Sequence, residues 1–447
     1  MDVSKIKTYI IFAGDVIIFY ASLLVSLYLR YYRDVKINLK SYFNIHFEPF
    51  SLIFIIWIIV FYLADLYDPR KLKNNAEFFK SFIIALVING LIGALFFYLF
   101  PFYGITPKTV LFLFLGIFGI FSFLWRYFFN YFGSAIGSKE KVLIISAGHD
   151  PLLAKELIDY VGSNPQLGYE IKCHLEEKDD YSKLNKIIED NKIGLVIIPT
   201  LITEKLKLSK IIYENLSLGI NIMNLSEFYE LIFKKIPLSE LEESWFLENI
   251  VHLHKIYDSL KTPVEILAAL LMVIVLLPLF FIIAFFVKIT SKGPAIYRQT
   301  RVGKNEKLFT LYKFRTMAMD AEKSGPQWAK QNDPRITRVG KFLRYTHLDE
   351  LPQLINVIKG NVSFVGPRPE RPEFVRELKE KISYYEIRHL LKPGITGWAQ
   401  INYRYGASVE DAVQKLQYEI YYLKNRSVVI DLLIILKTIK LFFTNLK

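Results

Sequence analysis

Pro263-Val-Glu-Ile-Leu-Ala-Ala-Leu-Leu-Met-Val-Ile-Val-Leu-Leu-Pro-Leu-Phe-Phe-Ile-Ile-Ala-Phe-Phe-Val-Lys-Ile289 is apolar enough and long enough to reach across a hydrocarbon core, yet Pro278 stands in its middle. Proline removes a backbone hydrogen bond and crowds the preceding helical turn. Two readings compete. A kinked spanning helix carries the residues that follow it to the outer side of a membrane. A re-entrant helix enters and leaves one leaflet and keeps them beside the residues before it. From Lys255 to Lys447 there are 31 Lys and Arg against 17 Asp and Glu, which accounts for the formal +13 of the whole chain. A face this basic belongs against an anionic cytoplasmic leaflet, which favours the re-entrant reading over residues 263–289.

Upstream, four more apolar runs occupy about Thr8 to Leu29, Pro49 to Leu66, Phe82 to Leu99 and Val110 to Phe132, each near the length of a bilayer span. They predict a four-helix transmembrane domain over residues 1–135. Lys5, Lys7, Arg70, Lys71, Lys73, Lys80, Lys139 and Lys141 outnumber Arg30, Arg33, Lys36, Lys40 and Lys108 on the other side, placing both ends in the cytoplasm. Tyr28, Tyr31, Tyr67, Tyr98, Trp125 and Tyr127 fit interfacial belts, and Arg126 among them can snorkel to the headgroups. The first run lacks a small-residue cleavage site after it and reads as a retained helix.

Residues 140–235 change to short buried runs between helical segments. Strands are expected at 141–146, 169–174 and 194–199, and helices at 151–161 and 181–191, which makes a small parallel α/β domain of Rossmann-like topology. The turn Ser146-Ala-Gly-His-Asp150 has one glycine where a dinucleotide fingerprint has three, so the domain reads as regulatory or as a spacer. Residues 236–254 then read as a linker. Over all 447 residues, apolar types make up 52% and aromatics 15%, which points to membrane contact. The excess of 56 basic over 43 acidic residues points to anionic partners, and a lone Cys173 excludes a disulfide framework and a cysteine metal cluster.

Downstream of the central run, motif-like strings replace simple periodicity. They are Tyr297-Arg-Gln-Thr-Arg-Val-Gly303, Tyr312-Lys-Phe-Arg-Thr-Met317, Arg335-Ile-Thr-Arg-Val-Gly-Lys-Phe-Leu-Arg344, Leu348-Asp-Glu-Leu-Pro-Gln353, Val365-Gly-Pro-Arg-Pro-Glu370 and Lys392-Pro-Gly-Ile-Thr-Gly-Trp-Ala-Gln400. Arg298, Arg301, Arg315, Arg335, Arg338, Arg344 and Arg368 lie in turn-rich strings, not on a helical stripe. Their planar forks match phosphate oxygens, which suggests a pyrophosphate or two phosphate substrates. The prolines on either side of Arg368 hold its backbone rigid. In Asp349-Glu350 neighbouring carboxylates point about 100° apart on a helix, so one can attack phosphorus while the other helps to hold Mg2+ against substrate phosphates. Val428 to Leu446 is apolar, with Lys437 and Lys440 on one face and Asp431 off it. It is either an interfacial amphipathic helix or a core helix.

These strings, in this order, resemble the bacterial sugar transferases, the monotopic polyprenyl-phosphate phosphoglycosyl transferases, from about His254 to Lys447. The resemblance begins at Lys255 and Asp258 and includes the proline-broken run. Four membrane helices followed by a Rossmann-like domain, with the linking string Lys235-Ile-Pro-Leu-Ser-Glu-Leu-Glu-Glu-Ser-Trp245, look like the large members that begin exopolysaccharide or O-antigen assembly. The resemblance implies that residues 255–447 form a monotopic catalytic domain on the cytoplasmic face of the bacterial inner membrane, with Pro278 as the kink of its re-entrant helix. It implies that Asp349 attacks the sugar-proximal phosphate of a UDP-sugar, releases UMP and carries the phosphosugar to polyprenyl (undecaprenyl) phosphate. Glu350 completes the dyad and helps to place Mg2+, Arg344 and Arg368 hold phosphates, and Lys313 and Arg315 are charge partners. Arg298, Arg301 and Gln400 join the substrate-binding set. His254-Lys255 departs from the two strongly basic residues frequent there, which weakens headgroup anchoring, and His347 stands where a small polar residue is frequent and reads as structural.

Other classes fit less. A membrane-bound nucleotide-sugar dehydratase needs a second dinucleotide domain that does not follow residue 255. A scaffold or regulator with decayed motifs is opposed by the intact dyad and Gly366-Pro-Arg-Pro369, and nucleic-acid binding leaves the dyad unexplained. A homodimer is a plausible assembly.

Overall fold

A computed structural model describes residues 3–32, 39–99, 108–132, 139–146, 151–176, 184–199, 220–250, 255–318, 335–403 and 408–445. The chain divides into two compact units, Met1–Asn224 and Leu225–Lys447.

In the first unit, the four N-terminal apolar runs form helices α1 (Val3–Tyr31), α2 (Leu39–Leu63), α3 (Ala76–Leu99) and α4 (Lys108–Phe132). All four are long and apolar enough to cross a membrane. Between them lies an aromatic core in which Phe19, Trp57, Phe61, Phe114 and Phe118 have no solvent exposure. Aromatic rings supply large contact area at fixed edge-to-face geometry, as between Phe19 and Phe114 at 4.8 Å. Arg126 does not snorkel. It is fully buried and grips Asp15 of α1 with two bonds of 2.6 Å, while Tyr67 donates to the same carboxylate at 2.7 Å. Its guanidinium lies 4.9 Å from the Phe61 ring centre. The bidentate Asp15 carboxylate and the aromatic rings around the guanidinium offset part of the cost of burying the cation inside the bundle.

The α/β part follows the expected rhythm: β1 (Glu140–Ile145), α5 (Pro151–Ser163), β2 (Tyr169–Leu175), α6 (Leu184–Asn191), β3 (Leu195–Ile198) and β4 (Asn221–Asn224). All pairings are parallel, in the order β2-β1-β3-β4. Val142 to Ile145 have no exposure, the continuous apolar pattern of a strand covered on both faces. Residues 147–150, the glycine-poor turn, lie outside the described residues.

The second unit is built around α9 (Lys255–Thr290), a single helix of 36 residues that continues through both Pro263 and Pro278. Before it come α7 (Leu225–Phe233) and α8 (Glu243–Asn249). After it come the hairpin β5 (Ile296–Val302) and β6 (Leu308–Phe314), then α10 (Arg338–Tyr345), α11 (Gln353–Ile358), β7 (Ser363–Val365), α12 (Pro372–Lys381), β8 (Gly394–Thr396), α13 (Trp398–Asn402), α14 (Val409–Asn425) and α15 (Val428–Asn445). One stripe of α9 packs inward along its length: Ala269, Val273 and Leu276 against Leu354 and Val357, then Ile283 and Val287 against Phe314 and Leu343. Near its start, Asp258 is gripped by Arg426 at 2.8 and 3.0 Å. Both ends of this apolar helix are therefore held by the same unit, while Leu267, Leu271, Val275, Ile282 and Phe286 face outward.

The segment read as a linker is packed where it is described. Ile236, Leu241, Trp245, Phe246 and Ile250 share a buried cluster with Val375, Leu378, Leu416, Ile420 and Leu423. The Trp398 indole donates to the Lys234 carbonyl at 2.9 Å, and Glu230 pairs with Lys424 at 2.8 Å. Each of these large apolar side chains stabilises the unit by about 1.5–3 kcal/mol through burial. A chain beginning at residue 225 is therefore expected to yield a monodisperse second unit with cooperative unfolding. One beginning at 255 is expected to melt well below it or aggregate, and equal melting temperatures in detergent would contradict the packing role of this strap.

Candidate active site

The dyad sits at a forced turn. Thr337 caps α10, its hydroxyl accepting from the Gly340 amide at 2.9 Å, and the helix runs out at Thr346. His347 then adopts a left-handed conformation, φ +50°, which a residue with a Cβ occupies at a cost of about 1–2 kcal/mol. That reversal starts the short 3-10 turn Leu348–Glu350 and, after Pro352, α11. Leu348 and Leu351 anchor the turn against the cluster of Ile283, Phe314 and Leu343. The two carboxylates of Asp349 and Glu350 are left side by side, both largely buried.

Their electrostatics diverge. Glu350 Oε1 accepts from Lys313 Nζ of β6 at 2.8 Å and from Arg368 Nη2 at 2.7 Å. Burial pushes Glu350 toward its neutral form, but the pull of Arg368 and Lys313 outweighs it and holds the carboxyl far below its usual range. Asp349 shifts the other way. Burial raises its pKa first and the adjacent Glu350 charge raises it further, with Lys313, His347 and Arg344 only partly offsetting them. Lys313 in turn has its pKa lowered by burial despite its bond to Glu350.

Arg368 is positioned by its backbone. The strands β7 and β8 run parallel, and around them Gly366 N donates to Thr396 O at 2.9 Å while Gly394 N donates to Pro367 O at 2.8 Å. A Cβ on Gly366 would collide with the Lys392 carbonyl, and one on Gly394 with the Gly366 amide. The two glycine-proline strings are glycine-bearing because their backbones touch. Two further arginines hold the carbonyls of this loop: Arg388 Nη2 donates to Arg368 O at 2.9 Å and Arg301 Nη1 to Pro369 O at 2.8 Å. Arg388 is itself bound by Glu419 at 2.8 and 2.7 Å and donates to Tyr385 at 2.8 Å. Burial works against its charge, but Glu419 more than compensates and keeps it above its ordinary value.

A cavity of about 1210 Å³ opens beside these groups, with Glu350, Arg368, Arg388, His347 and Gln400 among its walls. The structure thus brings together Glu350, Arg368 and Gln400, with Lys313 reaching Glu350 from β6 and Asp349 next in sequence. The other expected residues make different contacts, although Arg344 lies near enough to lower the Asp349 pKa and Arg301 holds the loop of Arg368. Arg344 Nε donates to Thr316 Oγ1 at 2.8 Å, and Arg315 donates to the Ser291 carbonyl at 2.7 Å. Arg301 also binds Gln299 at 2.6 Å, and Arg298 lies 5.9 Å from the Tyr312 ring centre. His254 lies outside the described residues. Among the described residues no three His, Cys, Asp or Glu side chains converge as a metal cluster.

Sequence reasoning did not pick out Arg388, Glu419, Lys261 or Glu265. Glu419 had a readable signal: it interrupts the stripe Leu416, Ile420 and Leu423 on the buried face of α14, where a charge needs a partner. Glu265 accepts from Ser363 Oγ at 2.7 Å and from the Phe364 amide at 3.1 Å, a role that depends on tertiary contact alone.

Residues 256–445 match the bacterial sugar transferase family. The chain is 33% identical over 327 residues to a UDP-glucose:undecaprenyl-phosphate glucose-1-phosphate transferase of Escherichia coli (strain K12), covering 68% of each. It is 29% identical over 448 residues to the Klebsiella pneumoniae protein of the same description, covering 94% of this chain and 93% of that one. It is 42% identical over 206 residues to a UDP-N-acetylgalactosamine-undecaprenyl-phosphate N-acetylgalactosaminephosphotransferase of Aeromonas hydrophila; the match spans 44% of this chain and about half, 49%, of that relative. The chain belongs to the bacterial sugar transferase family.

The opposed shifts have opposite consequences for stability. A carboxyl whose pKa is raised on folding stabilises the fold only while protonated, so at pH 7 the Asp349 charge works against folding. Glu350, lowered on folding, contributes stability that is present at pH 7 and is lost as the pH falls through its folded-state value. Asp349→Asn is expected to raise the melting temperature by about 2–4 °C. Glu350→Gln should cost about 2 kcal/mol by leaving two partly buried cations, Lys313 and Arg368, under-compensated. Thermal unfolding of both variants in detergent checks this, and the same sign of shift in both would contradict the asymmetry.

Proposed function

We propose that this protein transfers a hexose 1-phosphate from a UDP-sugar to polyprenyl phosphate, the first membrane step in assembling a bacterial surface polysaccharide. Relatives are named for glucose, galactose and N-acetylgalactosamine, all transferred to undecaprenyl phosphate. The observation that carries the reading is the charge asymmetry of the dyad. Glu350 is fixed as an anion by Lys313 and Arg368, and its neighbour Asp349 is left as the more basic carboxylate.

In this account an Asp349 carboxylate oxygen forms a bond to the sugar-bearing phosphorus while the bond from that phosphorus to the UMP oxygen breaks. UMP leaves with the electron pair. The phosphate oxygen of the polyprenyl acceptor then attacks the same phosphorus, and the Asp349 carboxylate is released unchanged. Arg368, rigid between its prolines, and Lys313 exchange part of their bonding from Glu350 to substrate phosphoryl oxygens as those approach. The donor set fits a Mg2+ ion held by one or two dyad carboxylates together with substrate phosphates, since both cationic bonds of Glu350 use Oε1 and neither uses Oε2. When bound, such an ion offsets the charge of the diphosphate.

The grip of one unit on both ends of α9 supports a re-entrant helix within the cytoplasmic leaflet, which sets the dyad at headgroup height. There a water-soluble nucleotide and a lipid phosphate can use one site in turn. We read the N-terminal helices as a membrane anchor and the parallel sheet as a Rossmann-like regulatory domain.

The test is nucleotide release by the full chain in detergent with Mg2+, undecaprenyl phosphate and UDP-glucose, UDP-galactose or UDP-N-acetylgalactosamine. UMP release with at least one sugar, abolished in Asp349→Asn, is expected. Release of UDP in place of UMP would mean glycosyl transfer and would overturn the role given to Asp349.

A further inference from the structure

The cavity beside the dyad has a second wall that the phosphate chemistry does not use. Ile256, Leu260, Val264, Ala268 and Met272 of α9 all line it. They recur every four residues and so form one stripe, about 24 Å long at 1.5 Å per residue. Val428, Leu432, Ile435 and Ile439 of α15 line it as well, at spacings of four, three and four, which is again one helix face. Two apolar stripes thus border a single furrow, and the same cavity is walled by Arg368 and Arg388.

A polar node ties the bordering helices together. Asp431, the acid that interrupts the apolar C-terminal run, is buried. It binds Lys261 Nζ of α9 at 2.8 Å, accepts from Tyr422 at 2.7 Å and bonds to the Tyr257 hydroxyl. Lys261 also donates to the Val365 carbonyl at 2.9 Å, at the end of β7 next to Gly366-Pro-Arg-Pro369. The spacing of α9 from α15 is therefore locked to the loop that carries Arg368.

We propose that this furrow binds the isoprenoid chain of the lipid acceptor, with the acceptor phosphate at the Arg368 end of the cavity. The inference rests on the reaction proposed above and adds where the chain lies. An apolar trough ending at fixed guanidinium groups complements a long hydrocarbon with one anionic end and matches neither a nucleotide nor a peptide. It is also continuous with the outward apolar face of α9, where Leu267, Leu271 and Val275 are exposed, so a chain can enter sideways from lipid.

Filling the trough should weaken the acceptor without touching the nucleotide half-reaction. Ala268→Trp and Ile435→Trp, made separately in the full chain, are expected to raise the KM for undecaprenyl phosphate about tenfold, the loss of two or so methylene contacts. The advantage of undecaprenyl over farnesyl phosphate should shrink, and exchange of labelled UMP into the UDP-sugar, which needs no lipid, should keep its rate. Unchanged KM and chain-length preference in both variants would overturn the furrow assignment. If wild type exchanges no UMP, the reaction reading fails instead. Should the tryptophan variants misfold, a diazirine-bearing prenyl phosphate crosslinked to wild type decides. Adducts within 256–272 and 428–441 support the proposal, whereas adducts confined to α1–α4 or to the outward face of α9 overturn it.

Discussion

Two carboxylates on consecutive residues are buried together, and their mutual repulsion is the constraint around which the second unit is organised. The interior cannot stabilise two such charges equally at that distance. It resolves the conflict by giving the hydrogen bonds of both Lys313 and Arg368 to Glu350, so that one acid is a fixed anion and the other is left the more basic.

The surrounding architecture holds those cations in place. Lys313 is pinned by the β5–β6 hairpin, whose edge is completed by Asn356: its amide accepts from Tyr312 N at 3.0 Å and donates to Thr310 O at 2.7 Å, as a neighbouring strand would. Arg368 is pinned from three sides by the backbone contact of Gly366 with Gly394 and by carbonyl bonds from Arg388 and Arg301. Arg301 illustrates how an arginine in a string that suggests phosphate binding can instead brace the loop that carries Arg368. The left-handed His347 completes the arrangement by turning the chain sharply enough to present both acids at the start of α11.

Much of this was legible in the residues. Long apolar runs and short buried runs gave the membrane helices and the parallel sheet, because helix length and strand burial are local properties of composition. The Gly-Pro-Arg-Pro string could be marked because prolines on both sides of an arginine are unusual for a solvated side chain, whereas an Asp-Glu pair alone reads as a helix-start charge pair and the dyad was marked by the family resemblance of the string around it. What escaped depends on distant partners. Arg126 looked interfacial until Asp15, far away in the chain, supplied a buried counterion. The segment around Trp245 looked like a linker because it is short and lies between two domain-like stretches, yet its apolar residues complete a core formed with α12 and α14. Asp431 looked like a flaw in an amphipathic face, and its partners Tyr257 and Lys261 lie on another helix.

The measurement closest to the central claim is peptide mass mapping after the protein is quenched with UDP-sugar and Mg2+ in the absence of lipid acceptor. The account predicts a phosphohexose adduct on Asp349 that disappears when undecaprenyl phosphate is added. An adduct on Glu350, or efficient transfer to lipid with no adduct on either acid, would contradict it.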